Sequence, residues 1–438
     1  MKSQSFVVRA LRKVKHTPPF SWPFIVAEKN RLLHVKEQSI IEREQEIQRL
    51  VERNDEWASE VRQLRRQDER MHIIWPVSKK DLIAAVPGNV SKQHHETLEK
   101  KDRLTIAWVI PPMGSVSGGH TTILRVVAGL EARGHTCSLY IYDPANTSTL
   151  EAVTENLTKY PQVAAKVIYN ASKIEDCDVL FATSWHTAYP VYNSKAATRK
   201  YYFVQDFEPS FDPAGSYSTL AENTYKLGLH GITLGSWMKD KLEADYGMMC
   251  DNFDLAVTNH EYVLKNHGDR KKVLFYARPV TPRRGFELGI LALEVFHKKH
   301  PDYEIHMLGW DVSRYDIPFE YVNHGIISIP ELNTLYNECA AGLVLSFTNM
   351  SLLPLELMAS GCIPVVNEAP CTTSVGYKEF ISYAQPTAAG LAEGLSLAIK
   401  KAEDKVYIKQ MSQHTQGFNW DHMNDSLNAI VTGKTTKS

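Results

Sequence analysis

Three arginines stand close together in YARPVTPRRGFELG, residues 276–289. Arg278 follows an apolar run, and Arg283 and Arg284 come just before Gly285. Guanidinium groups at the carboxyl end of a buried strand can clamp phosphate oxygens through paired N–H groups. Spacing alone does not turn them inward, so solvated surface arginines are the alternative. A second stretch is TNMSLLPLELMASG, residues 348–361, whose one acidic side chain is Glu356. Ser351 suits the cap of a short helix, Pro354 its first turn and Gly361 its end. The helix start, with Ser351, Leu352 and Leu353, would then favour an anion. Glu356 either balances the helix dipole or also accepts hydrogen bonds from a sugar hydroxyl. The third stretch is SVSGGH, residues 115–120. Gly118 and Gly119 would let backbone N–H groups approach an anion, with a plain tight turn as the alternative. The spacing is not GxGxxG, which argues against a nicotinamide cofactor.

These stretches sit in a regular alternation. RLTIAWVI is a continuous apolar run suited to a buried parallel strand, TTILRVVAGLEARG a helix pattern, and HTCSLYIYD a second strand. DVLFA, residues 201–204 and residues 231–234 read as further strands. A second series starts near 271, with KKVLFYARP, YEIHMLGWD, AGLVLSF and CIPVVNE as strands between helix patterns. Two successive series predict an α/β protein of two Rossmann-like doubly wound domains, 104–265 and 266–438, with the last helix crossing back. The cleft between them is the expected ligand site.

The N-terminal part differs. Residues 1–30 carry six Lys/Arg against one Glu, with Val7, Leu11 and Val14 on one helical face. This segment is either an interfacial membrane helix or a basic tail. Residues 31–71 contain a seven-residue repeat: Leu33, Ile40, Ile47, Asn54 and Val61, with Lys36, Arg43, Leu50, Trp57, Leu64 and Met71 as the partner series, apolar only from Leu50 onward. That predicts a long helix over 31–75 able to form a coiled coil, hence self-association through 31–71, with a single helix lying on the catalytic body as the alternative. Residues 76–103 are polar and mixed and read as a linker.

The chain has 438 residues, 43% hydrophobic and 23% charged, with a net charge of −1. No basic field marks a nucleic-acid binder. Six cysteines lie far apart without a CxxC pair, which predicts reduced, mostly buried thiols and no zinc site. No run of 18 apolar residues spans a membrane.

Taken in order and spacing, GGHTTILRVVAGLEARGH, FYARPVTPRRGFELGILAL, HGIISIPELNTLYNECAAGLVLSF, LPLELMASGCIPVV and a late FNW resemble the retaining, metal-independent glycosyltransferases of family four, which have the GT-B fold. YYFVQDFEPSFDPAGS and LHGITLGSWM look most like WsaF-type bacterial rhamnosyltransferases. Those use thymidine-diphosphate-linked rhamnose and build surface polysaccharide. The resemblance implies a nucleotide-diphosphate sugar as donor, a glycan or lipid-linked acceptor, and no cofactor or metal. The cysteine usage points to the cytoplasm, and the basic segment 1–30 to a peripheral contact at the inner face of the cell membrane. The resemblance assigns Arg278 and Arg284, or Arg283, to the diphosphate, Gly118 and Gly119 to the loop facing it, and Glu356 to the ribose. The first acid of the family's paired-glutamate motif falls at Thr348, so the donor sugar contact differs from the usual hexose site. The family's histidine falls at Thr183. His186, His120 and Asp206 are the candidates to replace it, each with a plain polar role as the alternative. A nucleotide-sugar epimerase, a mannosyl- or glucosyltransferase and a non-catalytic coiled-coil scaffold are the other readings.

Overall fold

The computed structural model describes residues 30, 31, 33–35, 38, 40–50, 73–87, 101–113, 118–160, 162–170, 173–375 and 377–433. The chain divides into two compact units, 1–74 and 75–438. In the first, residues 40–50 form continuous helix, and Leu33, Ile40, Ile47 and Leu50 are all exposed. The remaining repeat positions, Asn54 and Trp57 among them, lie outside the described residues. So does the basic segment apart from residue 30.

The second unit holds two parallel sheets. The first contains β1 (Thr105–Ile110), β2 (Thr136–Ile141), β3 (Lys166–Tyr169), β4 (Val179–Ala182), β5 (Arg199–Val204), β6 (His230–Leu234) and β7 (Cys250–Phe253). Their order is β3-β2-β1-β4-β5-β6-β7. The second contains β8 (Lys272–Tyr276), β9 (Glu304–Leu308), β10 (Val322–Gly325), β11 (Cys339–Val344), β12 (Ile363–Asn367) and β13 (Ser382–Ala384), in the order β10-β9-β8-β11-β12-β13. The helices are α1 (Lys79–Ala84), α2 (Gly118–Ala132), α3 (Leu150–Leu157), α4 (Trp185–Asn193), α5 (Ser216–Thr224), α6 (Ser236–Tyr246), α7 (Phe286–Lys299), α8 (Ile329–Glu338), α9 (Leu353–Ala359), α10 (Pro370–Thr373), α11 (Ala388–Lys401), α12 (Lys405–His414) and α13 (Trp420–Thr432). These are the two doubly wound domains expected.

Central strands are covered on both faces, which is why they read as unbroken apolar runs. Every residue of β5 and β11 is buried. Trp108 of β1 stacks on Phe181 of β4 with ring centroids 4.0 Å apart. The strands without a clear sequence signal, β3, β7, β10 and β13, are the four sheet edges. They are three or four residues long and partly polar, as edges commonly are.

Two further segments attach to the first domain. Residues 76–87, read from sequence as linker, are instead folded. Val77 is buried, Ser78 caps α1, and the Tyr142 hydroxyl accepts the Ser78 N–H while donating to Asp81. Ser78 and Asp81, polar residues of that stretch, are taken up in these bonds, and residues 88–100 lie outside the described residues. The last helix does cross back: α13 lies on α2. A Cβ on Gly129 would come 2.1 Å from the Asn424 amide. Arg133 pairs with Asp425 at 2.6 Å, and Arg199 donates to the Val431 carbonyl. The chain therefore passes between domains twice, and Val257 donates its N–H to the Phe418 carbonyl where the two passages meet.

All six cysteines are unpaired and five are buried, in keeping with the reduced-thiol expectation. Among the described residues, no helix is long and apolar enough to cross a membrane.

Candidate active site

The arginines lie at the carboxyl ends of the second sheet. Arg278, two residues beyond β8, donates from Nη1 to the Gly309 carbonyl at 3.1 Å. Its guanidinium lies 5.7 Å from the centre of the Trp310 ring. Arg283 and Arg284 form a tight helical turn, residues 282–284, that ends at Gly285 with φ +58°. Glycine is required there twice over: the backbone is left-handed, and a Cβ would come 2.8 Å from Phe347. Arg284 Nη1 donates to Ser346 Oγ at 2.8 Å. Arg283 Nε meets Asp206 Oδ2 of the first domain at 3.3 Å, and its guanidinium stacks 4.0 Å from the Phe211 ring centre. Burial draws the Arg283 pKa down; Asp206 opposes this, while Arg284 and Arg278 add to it. Arg284 and Arg278 therefore lie near Arg283, and all three are partly buried rather than free on the surface.

Beside them runs the segment from β11 into α9. Ser346 Oγ donates to the Asn349 carbonyl, and Asn349 Nδ2 reaches across the cleft to the carbonyls of Gln205 and Leu234 at 2.8 and 3.2 Å. Thr348 is only 3% exposed, and its Oγ1 has no hydrogen-bond partner. Ser351 Oγ is likewise buried and unpartnered. Ser351 is not the helix cap expected. Leu352 occupies the cap position in helical geometry, and α9 starts at Leu353. The serine hydroxyl is therefore not bonded to the helix. Unmet buried hydroxyls are costly, and two on one loop mark a place where a polar ligand would complete the bonding.

Glu356 does lie in the first turn of α9. The residue keeps some exposed surface, yet its carboxyl group is enclosed. Burial pushes its pKa up to about 7, with Arg125 opposing, Glu261 reinforcing and the Tyr262 hydroxyl bonding to it. Arg125, on α2, pairs with Glu261 at 3.1 Å and stacks 5.0 Å from the Trp420 ring centre.

In the first domain, Gly118 and Gly119 are the first residues of α2 itself, and neither has a positive φ. The tight-turn alternative is thus replaced by a helical first turn, whose N–H groups have no partner within the helix. Residues 114–117 of the loop lie outside the described residues. The Gly119 carbonyl accepts from Gln205 Nε2 at 3.2 Å. His120 Nε2 lies 3.2 Å from the Pro111 carbonyl, and burial lowers the ring's pKa. His186 stacks on Trp185 at 3.9 Å and is held neutral, its pKa pushed down to about 4 by burial. Thr183 is structural here: Oγ1 donates to the Val109 carbonyl and its N–H to Thr187. Asp206 is engaged by Arg283.

The structure thus joins Arg278, Arg283, Arg284 and Asp206 in one cluster and Thr348, Ser351, Leu352, Leu353 and Glu356 on one loop and helix. His120 is tied to its own loop. Sequence reasoning missed Glu208, Arg125, Tyr262 and Asn349. Asn349 adjoins Thr348, and Arg125 is a charge inside the apolar pattern of α2, so both carried a weak signal. Glu208 carried none. It is 5% exposed, and burial pushes its pKa up to about 7. It accepts the Trp185 N–H at 2.7 Å and the Tyr202 hydroxyl at 2.8 Å, so it fixes the start of α4 beside His186. A charged depression lined by Asn266, Lys271 and Glu304 lies at the opposite, amino end of β8 and β9. Its charges are paired locally, Lys271 with Asp302 and Lys272 with Glu338.

Residues 146–235 match the N-terminal domain of WsaF, and residues 271–396 match its C-terminal domain. The chain is a WsaF-type protein. Both WsaF matches fall within the two sheets, the second spanning the arginine cluster and α9. The WsaF-type chain is 33% identical over 317 residues to the O-antigen biosynthesis protein RfbC of Myxococcus xanthus, covering 69% of this chain and 25% of RfbC. It thus spans about a quarter of that relative. Among solved structures, it resembles a glycosyltransferase from Rickettsia africae (15% identity, 77% of this chain and 100% of that one, TM-score 0.55). It also resembles Anabaena HepE solved with UDP-glucose (12% identity, 75% and 100%, TM-score 0.58). At these identities the likeness is one of fold, and the WsaF-type chain has the GT-B fold of glycosyltransferases.

Proposed function

We propose that this protein is a glycosyltransferase that moves a sugar from a nucleoside-diphosphate donor to a hydroxyl of a growing surface glycan. The observation that carries this is an arginine cluster beside a loop with two buried, unpartnered hydroxyls, both at the carboxyl ends of the second sheet. RfbC and HepE, by name and by bound ligand, support polysaccharide synthesis and a sugar nucleotide.

In this reading Arg278, Arg283 and Arg284 take the diphosphate and stabilise the charge it gains on leaving. They bring the positive charge a divalent cation would otherwise supply, so transfer is expected to need no metal. Glu356 accepts a ribose hydroxyl. Thr348 and Ser351 complete bonds to the donor sugar, and a hydroxyl at Thr348 in place of a carboxylate suits a deoxy sugar such as rhamnose. None of the side chains in the cluster is an unencumbered nucleophile, since Asp206 is paired and Glu356 enclosed. Attack from the leaving-group side, with retention, fits that arrangement. The basic segment 1–30 would hold the protein beside an anionic membrane in the cytoplasm.

A thermal-shift screen against thymidine-, uridine-, guanosine- and adenosine-diphosphate sugars tests the donor. Thymidine-diphosphate rhamnose should give the largest rise in unfolding midpoint. A uridine or guanosine sugar ahead of it would redirect the donor, and no rise with any would remove the assignment. The apolar stripe of Leu33, Ile40, Ile47 and Leu50 supports self-association. Sedimentation should show an oligomer that becomes monomeric when residues 1–75 are deleted; equal sedimentation of both forms would discard the coiled-coil role.

A further inference from the structure

Among the described residues, four aromatic side chains are counted as exposed: Phe211, Tyr217, Tyr315 and Phe347. They are not scattered. Phe211 is 37% exposed and lies under the Arg283 guanidinium on the first-domain side of the cleft. Phe347 is 43% exposed, and its N–H donates to the Arg283 carbonyl on the second-domain side. Tyr217 is 44% exposed and lies 6.2 Å from Trp185, which itself stacks on His186. Tyr315 packs edge-on against Phe286, at the start of α7 next to Gly285. Large exposed rings at one end of a cleft are costly to keep in water without a use.

We propose that Phe211, Tyr217 and Phe347, with His186, form an acceptor-sugar subsite that receives a pyranose ring by its C–H face. An aromatic face carries negative potential and favours the weakly positive C–H edge of a sugar, while its hydroxyls seek polar groups around the rim. The rim supplies both. Phe211 lies against Arg283 and its partner Asp206, and Tyr217 against the Trp185–His186 pair, so each exposed ring has polar groups beside it, which fits a carbohydrate better than an acyl chain. Its position is continuous with the cluster assigned to the diphosphate, so a sugar there would present a hydroxyl toward the donor. Trp185 is the buried base of the platform, and the Glu208 carboxylate accepting its N–H keeps it in place.

This inference rests on the glycosyltransferase reading but is separable from it. Saturation-transfer NMR on the full chain, with the methyl glycosides of rhamnose, mannose, glucose, galactose and N-acetylglucosamine as probes, should give transfer concentrated on ring C–H protons for at least one sugar. Tyr217→Ala and Phe347→Ala should weaken that binding about five- to tenfold, and Tyr217→Phe should restore it. All three should leave the sugar-nucleotide thermal shift unchanged. Glycoside binding that is absent, or undiminished in both alanine variants, overturns the subsite while a persisting nucleotide shift keeps the function. Loss of the nucleotide shift in the parent chain overturns the function instead. Binding of a fatty-acid probe with no glycoside response would assign the rim to a lipid and reject the proposal.

Discussion

Arg278→Ala is expected to lower sugar transfer by about 10²–10³-fold, the usual cost of removing one donor from a site where negative charge develops. The side chain is half-buried, makes a hydrogen bond to the Gly309 carbonyl and lies over the Trp310 ring rather than in the core. The loss should therefore be in turnover and donor binding, not in stability. Arg283 is already shared with Asp206 and Phe211, and Arg284 with Ser346, so Arg278 is the cation least committed to other side chains of the site. Arg278→Lys keeps the charge but loses the planar fork, and intermediate activity is expected. Steady-state assay of both variants, with a thermal scan to check folding, decides the matter. Near-normal turnover in the alanine variant would take Arg278 out of the site.

The second large effect is on stability against pH. Glu208 and Glu356 both have native pKa values pushed up to about 7, against 4.5 for an ordinary glutamate. Burial is the leading cause in each. Between those values the native state holds more protons than the unfolded chain, so stability falls as pH rises from about 4.5 and levels off above about 7. For the well-buried Glu208 the swing is on the order of 3 kcal/mol. Glu208→Gln removes its share. A glutamine carbonyl can still accept the Trp185 N–H, and its amide can donate to the Tyr202 oxygen. Urea midpoints at pH 5 and pH 8 should differ clearly in the parent chain and much less in the variant, with the variant more stable at pH 8. An unaltered pH dependence in Glu208→Gln would show that another group is responsible. Glu356 has the same sign, and its ionisation should strengthen acceptance of a ribose hydroxyl. Nucleotide affinity is thus expected to rise through about pH 7, where native Glu356 ionises and the fall in stability levels off.

Much of the fold was legible because buried parallel strands leave unbroken apolar runs. The edge strands were not legible, because half-exposed segments of three or four residues lack both a run and an alternation. Arg278, Arg283, Arg284 and Glu356 were singled out from residue type and place, and their roles came from the family resemblance. Their surroundings were less legible: Asp206 was a candidate for another role, and it meets Arg283 across the cleft, while Arg125 acts on Glu356 from the first domain, contacts that sequence separation hides. Ser351 shows the opposite failure. Its type and position suited a helix cap, but the loop turns it away, and what looked like local structure is an unmet hydroxyl. Glu208 shows the limit most plainly: nothing in a glutamate between a phenylalanine and a proline says that it is sealed inside the protein.

The double passage of the chain between domains has a mechanical consequence. Two segments lie side by side, joined where Val257 meets Phe418, so any swing of one domain against the other would have to bend both at that joint. Because α13 is fastened to α2, it travels with the first domain and acts as a fixed leaf. Such a swing lifts Arg283 from Asp206 and Phe211, and Asn349 from Gln205, in a single movement. Admission of a ligand and release of those bonds become one event, with a single coordinate to follow.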